Sequence, residues 1–281
     1  MQERANKERI SILGAGWLGL ACARRLVAAG HSVSGSSRGA ETREELRAIG
    51  AVAYSLDLPQ SAENASELLG DRDVVILTLP PGGRQYGAAA TERYLEKLGI
   101  LLPLLKQKPS PRVIYTSSTG VYGAATGTVD ESSPLAPDTH SSRAVVAAEV
   151  LLRENLSELT ILRLAGLVGP GRHPGRFYGG RDRPIPQADA PVNLVHQLDV
   201  VRAIEMVIAQ NLWGMTFNVC ATAHPQKGEF YGDAAKSLGL SIAGTLPGGE
   251  NAKVISSDNL RRRGWQPAFD AAEDLLLPGQ M

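Results

Sequence analysis

The sequence predicts an α/β chain in which helices cover both faces of a doubly wound parallel sheet. Three observations carry that prediction. Over residues 1–164, short apolar runs alternate with segments whose apolar residues recur at helical spacing. One run, residues 74–79, carries no charge, as a strand covered on both faces requires. The first apolar run also leads straight into a glycine-rich turn that opens a helix-period segment.

Taken in order, residues 10–13 read as the first strand, and Leu18, Ala21, Cys22 and Leu26 then mark one helical face. Residues 32–36 and 52–56 are shorter strand candidates with helix 41–49 between them. Strand 74–79, helix 92–105, strand 113–116, helix 143–152 and strand 159–164 complete a first domain over residues 1–164. Beyond it, residues 166–191 are rich in Gly, Pro and Arg and read as loops. Residues 192–195 and 216–219 are further strands around helix 200–210, which Asp199 is placed to cap. Residues 193–220 are expected to return to the first domain, while 165–192 and 221–281 form a smaller C-terminal lobe.

Composition narrows the functional classes. The 281 residues are 43% hydrophobic, enough for a core, so the chain is not expected to be disordered. Lys plus Arg (29) equals Asp plus Glu (29), which leaves no electrostatic footprint for nucleic acid or an anionic membrane. No apolar stretch reaches the length of a membrane span. Residues 1–9 mix Glu with Arg and Lys and precede no long apolar region, so no secretory signal is expected. Cys22 and Cys220 match no redox or metal spacing, and His173, His196 and His224 show no ligand pattern. The expectation is a globular cytoplasmic protein without a metal.

The turn is Gly14-Ala15-Gly16-Trp17-Leu18-Gly19. Gly14 permits a tight turn, Gly16 lets backbone approach a pyrophosphate, and Gly19 lets the helix pack closely on the strand. The helix start then offers free N–H groups and a positive dipole end to phosphate oxygens. The turn therefore predicts a dinucleotide site. After the second strand stand Ser36, Ser37 and Arg38, with no acid before Glu41. An acid there would bond a ribose 2′-hydroxyl, whereas a guanidinium with hydroxyls suits a 2′-phosphate, so the pattern favours NADP over NAD. Asp57 and Leu58 either flank the adenine or form an ordinary turn. The residues expected around the cofactor are Gly14, Gly16, Trp17, Leu18, Gly19, Ser36, Ser37, Arg38, Asp57, Leu58, Leu79, Pro80, Pro81 and Thr116.

Further along, Tyr115-Thr116-Ser117-Ser118-Thr119-Gly120-Val121-Tyr122-Gly123, taken with the glycine turn, resembles the extended short-chain dehydrogenases/reductases. This is the NAD(P)-dependent epimerase/dehydratase group, which acts mostly on nucleotide sugars. The run Arg163-Leu164-Ala165-Gly166-Leu167-Val168-Gly169-Pro170-Gly171 is similar to the family's RxxNVYGPG turn. Val195-His196-Gln197-Leu198-Asp199-Val200 resembles VHVDDV, and Phe217-Asn218-Val219 resembles its (Y/F)NV strand. The ordered set spans nearly the whole chain and is similar to a bacterial YeeZ-type subgroup. The resemblance implies an NAD(P)-binding Rossmann fold, a small-molecule substrate and, by family precedent, a homodimer.

It also implies where chemistry would stand. The family uses a Ser/Thr, a Tyr and a Lys, the last two as YxxxK. The hydroxyl maps onto Ser118. Alignment on Glu149 puts Ser141 at the Tyr position and Val145 at the Lys position. A phenol near pKa of about 10 can be lowered by an ammonium, but an alcohol starts far higher and valine holds no proton. His140 and Tyr122 are therefore the candidate proton donors beside Ser118. Arg172, Arg176, Arg181 and Arg183 form either a solvated face or a site for a phosphorylated or nucleotide-linked substrate, and Tyr178 is a candidate substrate contact there. Two functions follow: an oxidoreductase or epimerase-type enzyme using NADP, or a non-catalytic NADP-binding sensor or scaffold.

Overall fold

The computed structural model describes residues 7–276, so the charged N-terminal residues 1–6 read above lie outside the described residues. The chain begins with β1 (Arg9–Leu13), α1 (Trp17–Ala28), β2 (Ser32–Ser36), α2 (Ala40–Ala48) and β3 (Val52–Tyr54). Next come α3 (Asn64–Leu69), β4 (Val74–Leu77), the single-turn α4 (Gly83–Tyr86), α5 (Ala90–Leu105) and β5 (Arg112–Ser118). The short β6 (Thr128–Val129) precedes α6 (His140–Asn155), β7 (Leu159–Leu164), β8 (Gly166–Val168) and β9 (Leu194–His196). The remainder holds α7 (Gln197–Ala209), β10 (Thr216–Val219), α8 (Lys227–Ser237), β11 (Val254–Ile255), α9 (Asp258–Arg261) and α10 (Ala272–Leu276).

The central sheet has seven strands in the order β3-β2-β1-β4-β5-β7-β10. From β3 to β5 every pairing is parallel, with Ile10 opposite both Val33 and Val74. β4 is fully buried, as its chargeless sequence predicts. The strand order reverses beside β1, and in open sheets of this kind ligands bind beyond the carboxyl ends at such a switch. Two small parallel sheets pair β6 with β11 and β8 with β9.

The chain folds into two compact units. One takes the chain as far as Val121 with Pro137–Leu162 and Ile204–Thr216; the other takes Tyr122–Ala136, Arg163–Ala203 and the chain from Phe217. Each has its own core. In the first, Leu13, Leu77, Tyr94, Leu101, Tyr115, Leu152 and Ile161 are among the buried cluster. In the second, Val168, Ile185, Leu194, Phe230 and Leu275 pack together. A fully buried Leu or Ile contributes about 1.5–3 kcal/mol, so these clusters hold the frame that positions the loops.

Several expectations are corrected. Residues 166–191 are less irregular than their Gly and Pro content suggests, since β8 pairs with β9 and Pro174–Arg176 forms a 3₁₀ turn. α6 starts at His140 because Thr139 and Ser142 form a reciprocal capping box, each side chain taking the other's backbone N–H. Asp199 does not cap a helix. It lies inside the first turn of α7, buried, and its carboxylate accepts the N–H groups of Ala268 (2.7 Å) and Phe269 (3.0 Å). Those bonds tie the C-terminal segment to α7 within the second unit. Among the described residues no helix is long and apolar enough to cross a membrane.

Candidate functional site

The glycine turn joins β1 to α1 in the first unit. Gly14 has φ +93°, a left-handed value that favours glycine, and a Cβ there would come 3.2 Å from the Thr78 carbonyl. At Gly16, the N-cap of α1, a Cβ would meet nothing within 4 Å, so the turn is open on that side. Gly19 is the opposite case: a Cβ would sit 2.5 Å from the Gly14 carbonyl oxygen. No side chain caps α1 and no acid lies in its first turn. Its leading N–H groups and dipole therefore face the open side without a competing carboxylate.

Two residues brace the turn from beneath. The Thr78 hydroxyl donates to the Gly14 carbonyl at 2.6 Å. Ser36 accepts the Gly14 N–H on its Oγ (3.2 Å) and the Ala15 N–H on its carbonyl (2.7 Å). Ser36 is only 2% exposed, with its Oγ engaged beneath the turn. Thr78 is not legible in the sequence, because one threonine after an apolar run carries no pattern.

At the end of β2, Ser37 accepts the Gly39 N–H, and the half-buried Arg43 donates to the carbonyls of Ser37 (2.9 Å) and Arg38 (2.7 Å). These bonds fix the backbone while the Arg38 side chain stays exposed. Its guanidinium lies 3.9 Å from Asp57, an exposed pair worth little and easily exchanged for another anion. Arg38, Asp57 and Leu58 line a pocket of about 120 Å³ with Pro59, Gln60, Tyr86, Arg93, Glu96 and Lys97. Arg93 and Lys97, one turn apart on α5, stand 4.8 Å and 5.8 Å from the Tyr86 ring centroid. Sequence reasoning missed these three residues; helical spacing on a surface face was their one signal.

Leu79, half-buried, accepts the Tyr94 hydroxyl on its carbonyl at 2.8 Å. Pro80 is exposed and Pro81 half-buried ahead of α4. Thr116 donates to the Leu77 carbonyl at 3.0 Å, joining β5 to β4. Burial pushes the Tyr94 phenol up to about 12 and raises Tyr115 well above its ordinary value, so neither titrates near neutrality.

The β5 end and the start of α6 carry the positions where the family's chemistry would stand. Ser117 turns inward and donates to the buried Glu149 at 2.5 Å. Ser118 is half-buried, and its Oγ accepts the Gly120 N–H at 3.1 Å, which leaves its own proton to donate. Ser141 is pressed against α4. A Cβ on Gly83 would lie 2.1 Å from Ser141 Oγ and 2.6 Å from its backbone nitrogen. The space beside Ser141 is thus occupied by main chain, and a larger side chain pointing that way would displace it. Val145 is 4% exposed. His140 is exposed on the first turn of α6.

Tyr122 has its partners in the interior. It is fully buried in the second unit, donating to Asn218 Oδ1 at 2.7 Å and accepting from Arg163 at 2.9 Å. Burial, ahead of the opposing Arg163 charge, raises its phenol. A tyrosine held so serves the interior of that unit and does not present its hydroxyl to an open cleft. The loop arginines curl back on their own segment: Arg181 donates to the Arg176 carbonyl (3.2 Å) and Arg183 to that of Phe177 (3.3 Å). His196 is buried, stacked on Phe269 at 3.7 Å, and burial lowers it to about 4.

The model of the NAD dependent epimerase/dehydratase family matches residues 10–220. Protein YeeZ of Escherichia coli (strain K12) is 41% identical over 279 residues, covering 96% of this chain and 99% of that protein. UDP-glucuronic acid 4-epimerase from Bacillus cereus, solved in complex with NAD, superposes with a TM-score of 0.80 at 18% identity, over 96% of this chain and 94% of that one. UDP-glucose 4-epimerase from Thermotoga maritima, solved with UDP-glucose, gives 0.74 at 17% identity over 96% and 97%. At those identities the two epimerase structures speak to the fold alone.

Proposed function

The chain belongs to the NAD dependent epimerase/dehydratase family, and we propose that its first unit binds NADP(H) in preference to NAD(H) for redox or epimerase-type chemistry on a small polar substrate. The observation that carries this is the turn between β1 and α1. It is open at Gly16, closed behind Gly19, uncapped and free of acid in the first turn, which fits a pyrophosphate. Gly14, Gly16, Trp17, Leu18 and Gly19 would hold the phosphates; Leu79, Pro80, Pro81 and Thr116 would line the adjoining strand ends. Arg38, on a loop fixed by Arg43, supports a 2′-phosphate, with Ser37 beside it. The pocket of Asp57, Leu58, Tyr86, Arg93 and Lys97 would take the adenosine end.

A bound nicotinamide supplies hydride exchange at its C4 carbon. The chain's own contribution is Ser118, whose free proton can bond a substrate oxygen, and the exposed His140, which is left to carry a proton once Tyr122 is buried. The epimerases found among the structural relatives act on UDP-sugars, and a nucleotide-linked substrate is the class we carry over. The cytoplasm, as a reducing compartment, agrees with two buried free cysteines.

One observation favours a second reading, an NADP-responsive sensor or scaffold. The contact between Gly83 and Ser141 fills with main chain the space a family tyrosine would use. A screen of UDP-sugars and carbonyl compounds with NADPH separates the two. Turnover that is lost in Ser118→Ala and kept in Ser141→Ala supports the enzyme; uniform silence with intact NADPH binding supports the sensor. Absence of calorimetric heat with all four pyridine nucleotides would overturn both.

A further inference from the structure

In the first unit, the segment between β4 and α5 is fixed at its two ends and lightly held between them. At one end the Leu79 carbonyl is bonded by Tyr94, and at the other Ala90 is fully buried. Across residues 78–89 no residue is buried, and α4, in the middle, buries none of its own. Glycines with left-handed backbone flank α4, Gly82 at φ +71° and Gly87 at φ +52°. A stretch with few buried contacts, between two residues that can absorb a change of φ and ψ, has the build of a hinged flap.

One side chain ties the flap down. Tyr86 packs against the core of the first unit, and its ring folds back over the first hinge, where a Cβ on Gly82 would lie 2.7 Å from Tyr86 Cδ2. Arg93 and Lys97 of α5 stand against that ring, 4.8 Å and 5.8 Å from its centroid. Among the described residues neither cation forms an ion pair, although Glu96 lines the same pocket. Held in this way, α4 sets Gly83 against Ser141, and a Cβ at position 83 would overlap the Ser141 hydroxyl and backbone nitrogen. Tyr86 therefore belongs both to the flap over Ser141 and to the pocket of Arg38, Asp57 and Leu58.

That pocket measures about 120 Å³, whereas a small-ligand site takes roughly 300–1,000 Å³, so an occupant must widen it. Most of its walls resist. Arg43 fixes the backbone at Arg38, Leu58 is buried, and α5 is seated by the buried Tyr94 and Leu98. The wall that carries Tyr86 is the one whose element buries no residue. Phosphate oxygens bind a guanidinium or an ammonium more strongly than a phenol ring does. A nucleotide would therefore draw Arg93 and Lys97 off the ring while its bulk presses on Tyr86.

We propose that α4 is a flap latched by Tyr86 and that an adenine nucleotide entering this pocket opens it. The segment turns at Gly82 and Gly87, Gly83 lifts from Ser141, and the start of α6 is uncovered only once the nucleotide is in place. The device orders events at the site, nucleotide first and substrate second. The opener rests on the reading that this pocket takes the adenosine end of the cofactor; the latch does not.

The test places a thiol beneath the flap. Cys22 and Cys220 are buried, so Ser141→Cys gives the full chain one accessible thiol, followed with a bulky aromatic disulfide reagent. Glu154→Cys, exposed near the far end of α6, is the control. The opener is adenosine 2′,5′-bisphosphate, which lacks the nicotinamide half that would shield position 141. It is used at a concentration that displaces NADPH and restores Trp17 emission. We expect it to speed labelling of Ser141→Cys about tenfold and to leave Glu154→Cys unchanged. Cutting the latch, by Tyr86→Ala or by Arg93→Gln with Lys97→Gln on the surface of α5, should speed labelling without nucleotide. Loss of two such contacts predicts a rise of about five- to thirtyfold. Tyr86→Phe, which keeps the ring, should label like the parent. The proposal is overturned if the folded latch variants label at the parental rate, or if the bisphosphate leaves Ser141→Cys as slow as before. Should NADPH fail to quench Trp17, the cofactor reading falls by itself, and the latch variants still decide the flap.

Discussion

The β1–α1 turn and the β5–α6 region lie in one unit, yet they have kept their family features to different degrees. At the turn, the three glycines of the motif are present, and each has a separate geometric reason to lack a side chain or to leave space. At β5–α6, Ser118 has a proton to donate, whereas Ser141 and Val145, which we propose to stand at the family's tyrosine and lysine positions, carry no group of suitable pKa, and Gly83 of α4 packs against Ser141. The difference teaches that the two tasks rest on different parts of the chain. Gripping a pyrophosphate is work for backbone amides and needs only that side chains stay out. Moving a proton needs a particular functional group at a particular pKa, and one substitution removes it.

The strongest way to break the comparison is Gly19→Val. Its Cβ would enter the 2.5 Å space before the Gly14 carbonyl, so we expect NADPH to cease quenching Trp17 and stability to fall by about 1–3 kcal/mol. Unchanged binding in a fluorescence titration would mean that the turn is not the site. Next in size, Ser141→Tyr should cost about 1–3 kcal/mol in urea unfolding, because Gly83 occupies the space, and should bring no turnover. A variant that folds well and gains NADPH-dependent activity would show that a missing side chain, and not a closed pocket, separates the two regions.

Smaller effects sharpen the picture at the adenosine end. Wild-type protein should bind NADPH roughly tenfold more tightly than NADH, and Arg38→Glu should reverse that order through repulsion of the 2′-phosphate. Equal affinities in wild-type protein would remove the cofactor preference. Arg93→Ala should weaken both nucleotides by only about threefold, since an exposed cation beside an aromatic contributes roughly 0.5–1 kcal/mol. A loss confined to NADPH would move the 2′-phosphate toward α5.

Much of this was legible in the sequence because it is written in local patterns. β7 and β10 have the bounds that their apolar runs predict, and α1 starts within the glycine motif, at Trp17. The early start of α6 needed the Thr139–Ser142 exchange, which is visible only once both backbones are in place. Asp199 looked like a cap because Asp before a helical run usually is one; its partners, Ala268 and Phe269, are remote in sequence. The burial of Ser36 and Tyr122 was not legible for the same reason: a side chain's exposure depends on neighbours that composition and spacing do not name.

The sequence alone determined the succession of strands β1 to β5, the glycine turn between β1 and α1, and the serine and valine at positions 141 and 145, because each follows from residue type and short-range spacing. Tertiary structure alone decided which polar groups are spent internally. It turned Ser36 beneath the turn, buried Tyr122 against Arg163 and Asn218, and set Gly83 against Ser141. The physical reason is that a hydrogen bond or an ion pair is a property of two groups and the water excluded from between them, and the fold brings those groups together from distant parts of the chain.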